Sequence, residues 1–277
     1  MDDIPYLARG VNLLGTDSSV LVSSSKYLNH PKLREWIAFI ALKKNGPDFP
    51  PAAEMHQLLT FIDELRDFDH IEHMITEERK VNPAFDAWFA EGFVSDYKVD
   101  DLAAFPADSV AGTYYAMLKQ GNYDVQIVPN FKPRSQWEFY SLRSGQTHDY
   151  EHILTGGGFN YMGELVPYWF RLATIHTHIR NKELAGEMSV LSIFGSLRYQ
   201  IRTMLHYPEV WETALTCIQQ GLRIGRESPP FWMAKMEEIW PLSVAEARAK
   251  LGVVGATDLD TQAEGDLWGE QQQRIKR

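Results

Sequence analysis

At 277 residues, with 44% hydrophobic and 23% charged side chains, the chain has the size and composition of a globular protein with a full core. Its 27 lysines and arginines stand against 37 aspartates and glutamates, a net charge of −10. That balance excludes nucleic-acid binding through clustered cations and electrostatic docking on an anionic leaflet. A single cysteine, Cys217, excludes a disulfide framework and a cysteine-based metal cluster.

Residues 1–28, with Ser18-Ser19 and Ser23-Ser24-Ser25, read as a loosely ordered lead-in. Met1 to Pro5 has no basic stretch leading into an apolar run, and no segment approaches the ~20 apolar residues of a membrane span, so a soluble cytoplasmic protein is expected. Asn29-His30-Pro31 opens a helix carrying Leu33, Trp36, Ile37 and Ile40 on one face, closed by Lys43, Lys44 and Gly46. Pro50-Pro51 opens a longer run with Met55, Leu58, Leu59, Ile62 and Leu65 on one stripe. Asn82-Pro83 caps a short helix that Gly92 ends. Ser109 to Lys119 is a further helix, closed by Gly121, and Asp124 to Val128 is the one candidate strand, broken by Pro129 and Pro133.

From Thr147 to about Gly221 the pattern is again helical, interrupted at Gly156-Gly157-Gly158 and restarted at Pro208. After Gly225 come Ser228-Pro229-Pro230, the apolar Phe231-Trp232-Met233, a short helix from Ser243 to Leu251 and a polar tail. The expected organisation is therefore a lead-in over 1–28, an all-helical domain over 29–225, and a C-terminal appendage over 226–277 strapped on by its aromatics. The fold class is all-α, a multi-helix bundle.

Chemistry concentrates in Thr147-His148-Asp149-Tyr150-Glu151-His152. Four residues apart on a helix, His148 and His152 share a face one turn apart, so two imidazoles can reach a single ion. Asp149 lies about a quarter turn away and can add an oxygen ligand or orient an imidazole. The glycines let the chain reverse, and a second helix starting near Asn160 brings Glu164 back towards the histidines. His148, Asp149, His152 and Glu164 are the candidate ligands of one divalent metal ion. Such a mixed nitrogen and oxygen set suits Zn, Fe or Mn. A plain pair of surface histidines is the alternative for that spacing alone; the glycine break and the returning carboxylate favour the metal.

Other histidines carry less. His70 and His73 lack a returning ligand and read as a solvated helix face. His176 and His178 follow Glu164 by more than three turns, roughly 18 Å, which puts them outside its reach. Cys217 belongs to an amphipathic run and reads as buried.

His148-Asp149-x-x-His152, eleven residues and Glu164 resemble the signature of the coenzyme Q biosynthesis protein 4 family. His152-Ile153-Leu154-Thr155-Gly156, Gly163-Glu164, Phe105-Pro106, Gly112-Thr113-Tyr114-Tyr115 and Asp124 match its flanking motifs, over about residues 30–225. The chain departs from the family pattern at Gly145, Gln146 and Arg171, and in the glycine run after Thr155.

The resemblance implies an all-α, often dimeric protein that takes a small or prenylated aromatic substrate. The reaction it implies is replacement of the carboxylate at ring carbon 1 of a prenylated hydroxybenzoate by a hydroxyl. Alternatives are a related lyase, decarboxylase or hydroxylase acting on another phenolic compound, and a lipid-binding scaffold without turnover. Arg143, Asp149 and Tyr150 are then the candidate catalytic residues, Arg143 pairing with the departing carboxylate. Tyr114, Tyr115, Trp137, Tyr150, Tyr161 and Trp169 are candidate pocket walls. A cytoplasmic homodimer is the expected setting, with peripheral contact to the inner membrane through apolar surface as an alternative.

Overall fold

The computed structural model describes residues 22–42, 53–120 and 130–268. The residues named above between Lys43 and Pro51, the closing Gly121, the candidate strand from Asp124 to Val128, and residues 1–21 of the lead-in lie outside that range. Among the described residues the protein is helical, as its sequence pattern predicts, and no strand forms; an isolated bridge joins Ser109 to Ser243. Among the described residues, no helix is long and apolar enough to cross a membrane.

Two short helices, α1 (Lys26–Asn29) and α2 (Pro31–Leu42), lead into α3 (Ala53–Asp63). Leu33, Trp36 and Ile40 of α2, spaced as one helical face, bury against Leu58 and Ile62 of α3. The expected longer run through Leu65 breaks instead after Asp63. The next helix, α4 (Phe68–Val81), begins at Asp67, whose carboxylate accepts from the His70 amide at 3.0 Å. α5 (Pro83–Glu91) follows, with Asn82 as its N-cap and Gly92 in the left-handed region at its end.

α6 (Val110–Gln120) packs on α7 (Gln136–Thr155). α7 starts well before Thr147 because Ser135 caps it, its hydroxyl accepting from the Glu138 amide at 3.1 Å. Beyond the glycine turn, α8 (Leu165–His178) is wedged among α7, α9 (Lys182–His206) and α10 (Trp211–Glu227). Val190 and Phe194 of α9 complete the α2–α3 core. Glu78, buried on α4, accepts from the Arg180 and Asn181 amides, each at 2.9 Å, and so caps the start of α9.

The segment after Gly225 enters the principal core. Phe231, Trp232, Met236, Ile239 and Trp240 are buried with residues of α4 to α8. Phe231 stacks on Phe170 of α8 at 4.4 Å. Then come α11 (Val244–Leu251), opened by a Ser243–Glu246 capping box, and α12 (Gln262–Trp268). Cys217 is fully buried, as its amphipathic run predicts.

Candidate metal centre

α7 ends at Gly156, whose φ of 76° suits glycine and turns the chain back. Only a glycine fits at position 163, because a Cβ there would stand 2.0 Å from the Gly157 carbonyl oxygen. This close crossing delivers Glu164 opposite the last turns of α7. The expected second helix from Asn160 forms later: residues 161–164 are a turn, and Glu164 immediately precedes α8. The Asn160 side chain, accepting from the Gly163 amide at 2.9 Å, holds that turn.

Three side chains converge. His148 Nε2 lies 3.5 Å from one Glu164 oxygen, and His152 Nε2 lies 3.5 Å from the other. All three donor atoms fall within 4.8 Å of one another. Hydrogen bonds between charged groups would draw in to about 2.7–2.9 Å. The wider spacing equals the edge of a tetrahedron about an ion with bonds of about 2.1 Å, which is about 3.4 Å. Moreover, Glu164 Oε2 is buried without a hydrogen-bond partner, a costly state for an anionic oxygen that a cation would relieve. The three residues therefore fit a divalent ion.

The imidazoles are held for such a role. His152, 3% exposed, donates from Nδ1 to the Gly158 carbonyl at 2.7 Å, which leaves Nε2 as the free donor facing Glu164. His148 is half-buried, its ring 5.0 Å from that of His152. Burial works against a charged His148, but the Glu164 carboxylate 3.5 Å away and the charges of Asp149 and Glu151 outweigh it and raise its pKa to about 9. Burial likewise opposes ionisation of Glu164, yet the neighbouring imidazoles hold its carboxyl well below the ordinary range.

The remaining candidates face elsewhere. Asp149 is turned towards α6, where its Oδ2 accepts from the Tyr114 hydroxyl at 3.0 Å; it is outside the converging group. Arg143 and Tyr150 project from the side of α7 opposite His152, about 180° and 160° round the helix. Arg143, fully buried, donates to Ser95 Oγ at 2.9 Å, to Gln146 Oε1 at 3.0 Å and to the Ala234 carbonyl at 2.7 Å. The Tyr150 hydroxyl accepts from Trp240 Nε1 at 2.8 Å and lies 3.2 Å from that of Tyr97. Of the expected pocket walls, Tyr114 packs its ring, tilted by 50°, against Tyr150 on that far side and Tyr115 packs beside the same core. Trp137 lies under Arg66, while Tyr161 and Trp169 pack around Met162 and Val166.

Two rings outside the expected set of pocket walls border the imidazoles. Phe159, 39% exposed, lies 5.2 Å from His152, and Tyr168 lies 6.3 Å from His148. A signal existed for Tyr168, four residues after Glu164 and therefore on the same face of α8. Beneath them, Arg171 meets the fully buried Glu151 at 2.6 Å. His70, by contrast, pairs at the surface with Glu183 at 3.0 Å.

Comparison with known proteins follows the same lines. A crystal structure from Nostoc punctiforme PCC 73102, provisionally described as a ubiquinone biosynthesis protein, superposes with a TM-score of 0.58. It shares 21% identity over 80% of this chain and 94% of its own, which establishes a common fold. No curated protein matches the sequence. Residues 94–256, which include the three converging side chains, match the family described as coenzyme Q (ubiquinone) biosynthesis protein Coq4, and the chain belongs to that family.

Proposed function

We propose that this protein is a metal-dependent enzyme of ubiquinone biosynthesis. In this reading one divalent ion (Zn, Fe or Mn) sits on His148, His152 and Glu164. The substrate is a prenylated hydroxybenzoate, whose carbon 1 carboxylate is replaced by a hydroxyl. Membership of the coenzyme Q family supports the pathway. The observation that carries the site is the convergence of the His148, His152 and Glu164 donor atoms within 4.8 Å, where the buried Glu164 Oε2 accepts no hydrogen bond.

When bound, the ion supplies Lewis-acid polarisation of substrate oxygens and, for Fe or Mn, electron exchange. The protein's own groups do the rest. Glu164 provides the anionic oxygen, and the Gly158 carbonyl keeps the His152 Nε2 lone pair aimed at it. Phe159 and Tyr168 offer aromatic surface beside the imidazoles for a phenolic ring. In balance, substrate carboxylate and water give phenol, carbon dioxide, a proton and an electron pair, which passes to an acceptor such as dioxygen.

Mass-spectrometric metal analysis of native protein, beside the His148→Ala/His152→Ala variant, tests the site. One equivalent per chain in the native protein, lost in the variant, is expected. Carbon dioxide release from a prenylated hydroxybenzoate then tests the reaction. Absence of metal from both proteins, even after reconstitution, would remove the enzymatic reading and leave the scaffold in its place.

A further inference from the structure

We propose that the C-terminal segment from Arg248 to Thr261 is a clamp that sets the geometry of the metal centre, with Thr261 and Arg248 as positioning residues. The inference rests on the metal reading of His148, His152 and Glu164.

This segment grips the end of α7 and the first part of the turn that follows it, at Gly156, Gly157 and Asn160. The Arg248 guanidinium donates to the Leu154 carbonyl at 3.0 Å and the Ile153 carbonyl at 2.9 Å, two acceptors freed at the end of α7. Its position is fixed in turn by Asp258 at 2.5 Å. Gln220 of α10 donates to the carbonyls of both Thr155 and Thr257, each at 2.7 Å, and bridges the end of α7 to the clamp. The Leu259 amide donates to the Gly156 carbonyl at 2.9 Å. So close is this approach that a Cβ on Gly156 would fall 2.1 Å from the Thr257 carbonyl oxygen.

Thr261, 2% exposed, holds the far side of the turn. Its hydroxyl accepts from Asn160 Nδ2 at 2.8 Å, and its proton is shared between Asn160 Oδ1 at 3.1 Å and the Gly157 carbonyl at 3.4 Å. Asn160 passes this restraint to the Gly163 amide, next to Glu164. Gly157 adjoins Gly158, whose carbonyl orients His152. A hydroxyl in the C-terminal segment is thus two contacts from one ligand and one contact from the turn that orients another. It touches neither donor atom.

Groups hydrogen-bonded to a metal ligand govern metal affinity by about 10–100-fold when removed, and Thr261, one contact further out, belongs at the low end of that range. Co2+ is the probe, added to full-length metal-free wild-type protein and to Thr261→Val, Thr261→Ser and Arg248→Met. Thr261→Val keeps the volume and removes the hydroxyl. Unchanged helical circular dichroism, Co2+ affinity about tenfold weaker or worse, and altered d–d bands are expected for Thr261→Val, with Thr261→Ser restoring both readouts. Should Thr261→Val fail to fold, Arg248→Met, whose side chain sits at the clamp's edge, is read by the same affinity and spectrum. A folded variant that binds Co2+ with wild-type affinity and spectrum overturns the clamp alone. A wild-type protein that takes up no Co2+ overturns the metal reading, and the clamp with it.

Discussion

Arg171 on α8 directs its Nε to both oxygens of Glu151 on α7, at 2.8 and 2.6 Å, in a site where Glu151 has no exposure. The same guanidinium donates to the Ser144 carbonyl at 2.7 Å and to Thr147 Oγ1 at 2.9 Å, and it also bonds the Ser144 hydroxyl. Arg171 lies seven residues beyond Glu164, two turns along one face of α8, so this ion pair fastens the helices that carry the metal ligands. Removing one partner strands a buried charge. Arg171→Leu is expected to cost about 3–5 kcal/mol in urea unfolding, and Arg171→Leu/Glu151→Leu to recover most of it. Equal loss in the single and double variants would show that the pair itself stabilises the fold.

Gly163→Ala isolates the crossing. The added methyl would lie 2.0 Å from the Gly157 carbonyl oxygen and 2.5 Å from that of Gly158, and backbone on both sides cannot yield cheaply. Since Gly163 directly precedes Glu164, the carboxylate moves with it. Metal analysis should find the variant depleted while circular dichroism retains the helices. Full metal content would mean that the turn is more pliable than its contacts imply.

Tyr150→Phe separates packing from chemistry. The hydroxyl accepts from Trp240 and meets Tyr97, deep in the core and on the far side of α7 from His152. Its loss leaves the Trp240 donor buried and is expected to cost about 1–3 kcal/mol in thermal or urea unfolding. Metal content should be unchanged. A variant of native stability that has lost turnover would instead return Tyr150 to the catalytic set.

Periodicity made the helices readable, since Leu33, Trp36 and Ile40 on α2 or Asn82-Pro83 before α5 carry their own signals. The spacing of His148, His152 and Glu164 likewise located the converging group, because an i,i+4 pair and a glycine reversal are local rules. Directions across helices were less legible. Arg143 and Asp149 sit near the histidines in sequence, yet the pitch of α7 sends one to Ala234 and the other to Tyr114. The Arg171–Glu151 pair spans two helices, and the hold of Thr261 on Asn160 bridges about a hundred residues; neither leaves a local pattern in the chain.

Protons and metal compete for His148. With its pKa raised to about 9, the metal-free protein keeps this imidazole protonated at neutral pH, and uptake of an ion there must expel that proton. Glu164, held well below the ordinary carboxyl range, is already ionised and adds nothing to the competition near neutrality. Apparent Co2+ affinity should therefore climb about tenfold per pH unit up to roughly pH 9 and level off above it. Folding stability runs the opposite way in the metal-free protein. The folded-state pKa of about 9 exceeds the ordinary value of 6.5, so the stabilising contribution is complete below pH 6.5 and disappears as pH rises through 9. Thermal melts across this window should show the metal-free midpoint falling while the increment from saturating Co2+ grows. In His148→Ala both trends should flatten, and parallel curves for the wild-type protein with and without Co2+ would disconnect His148 from the ion.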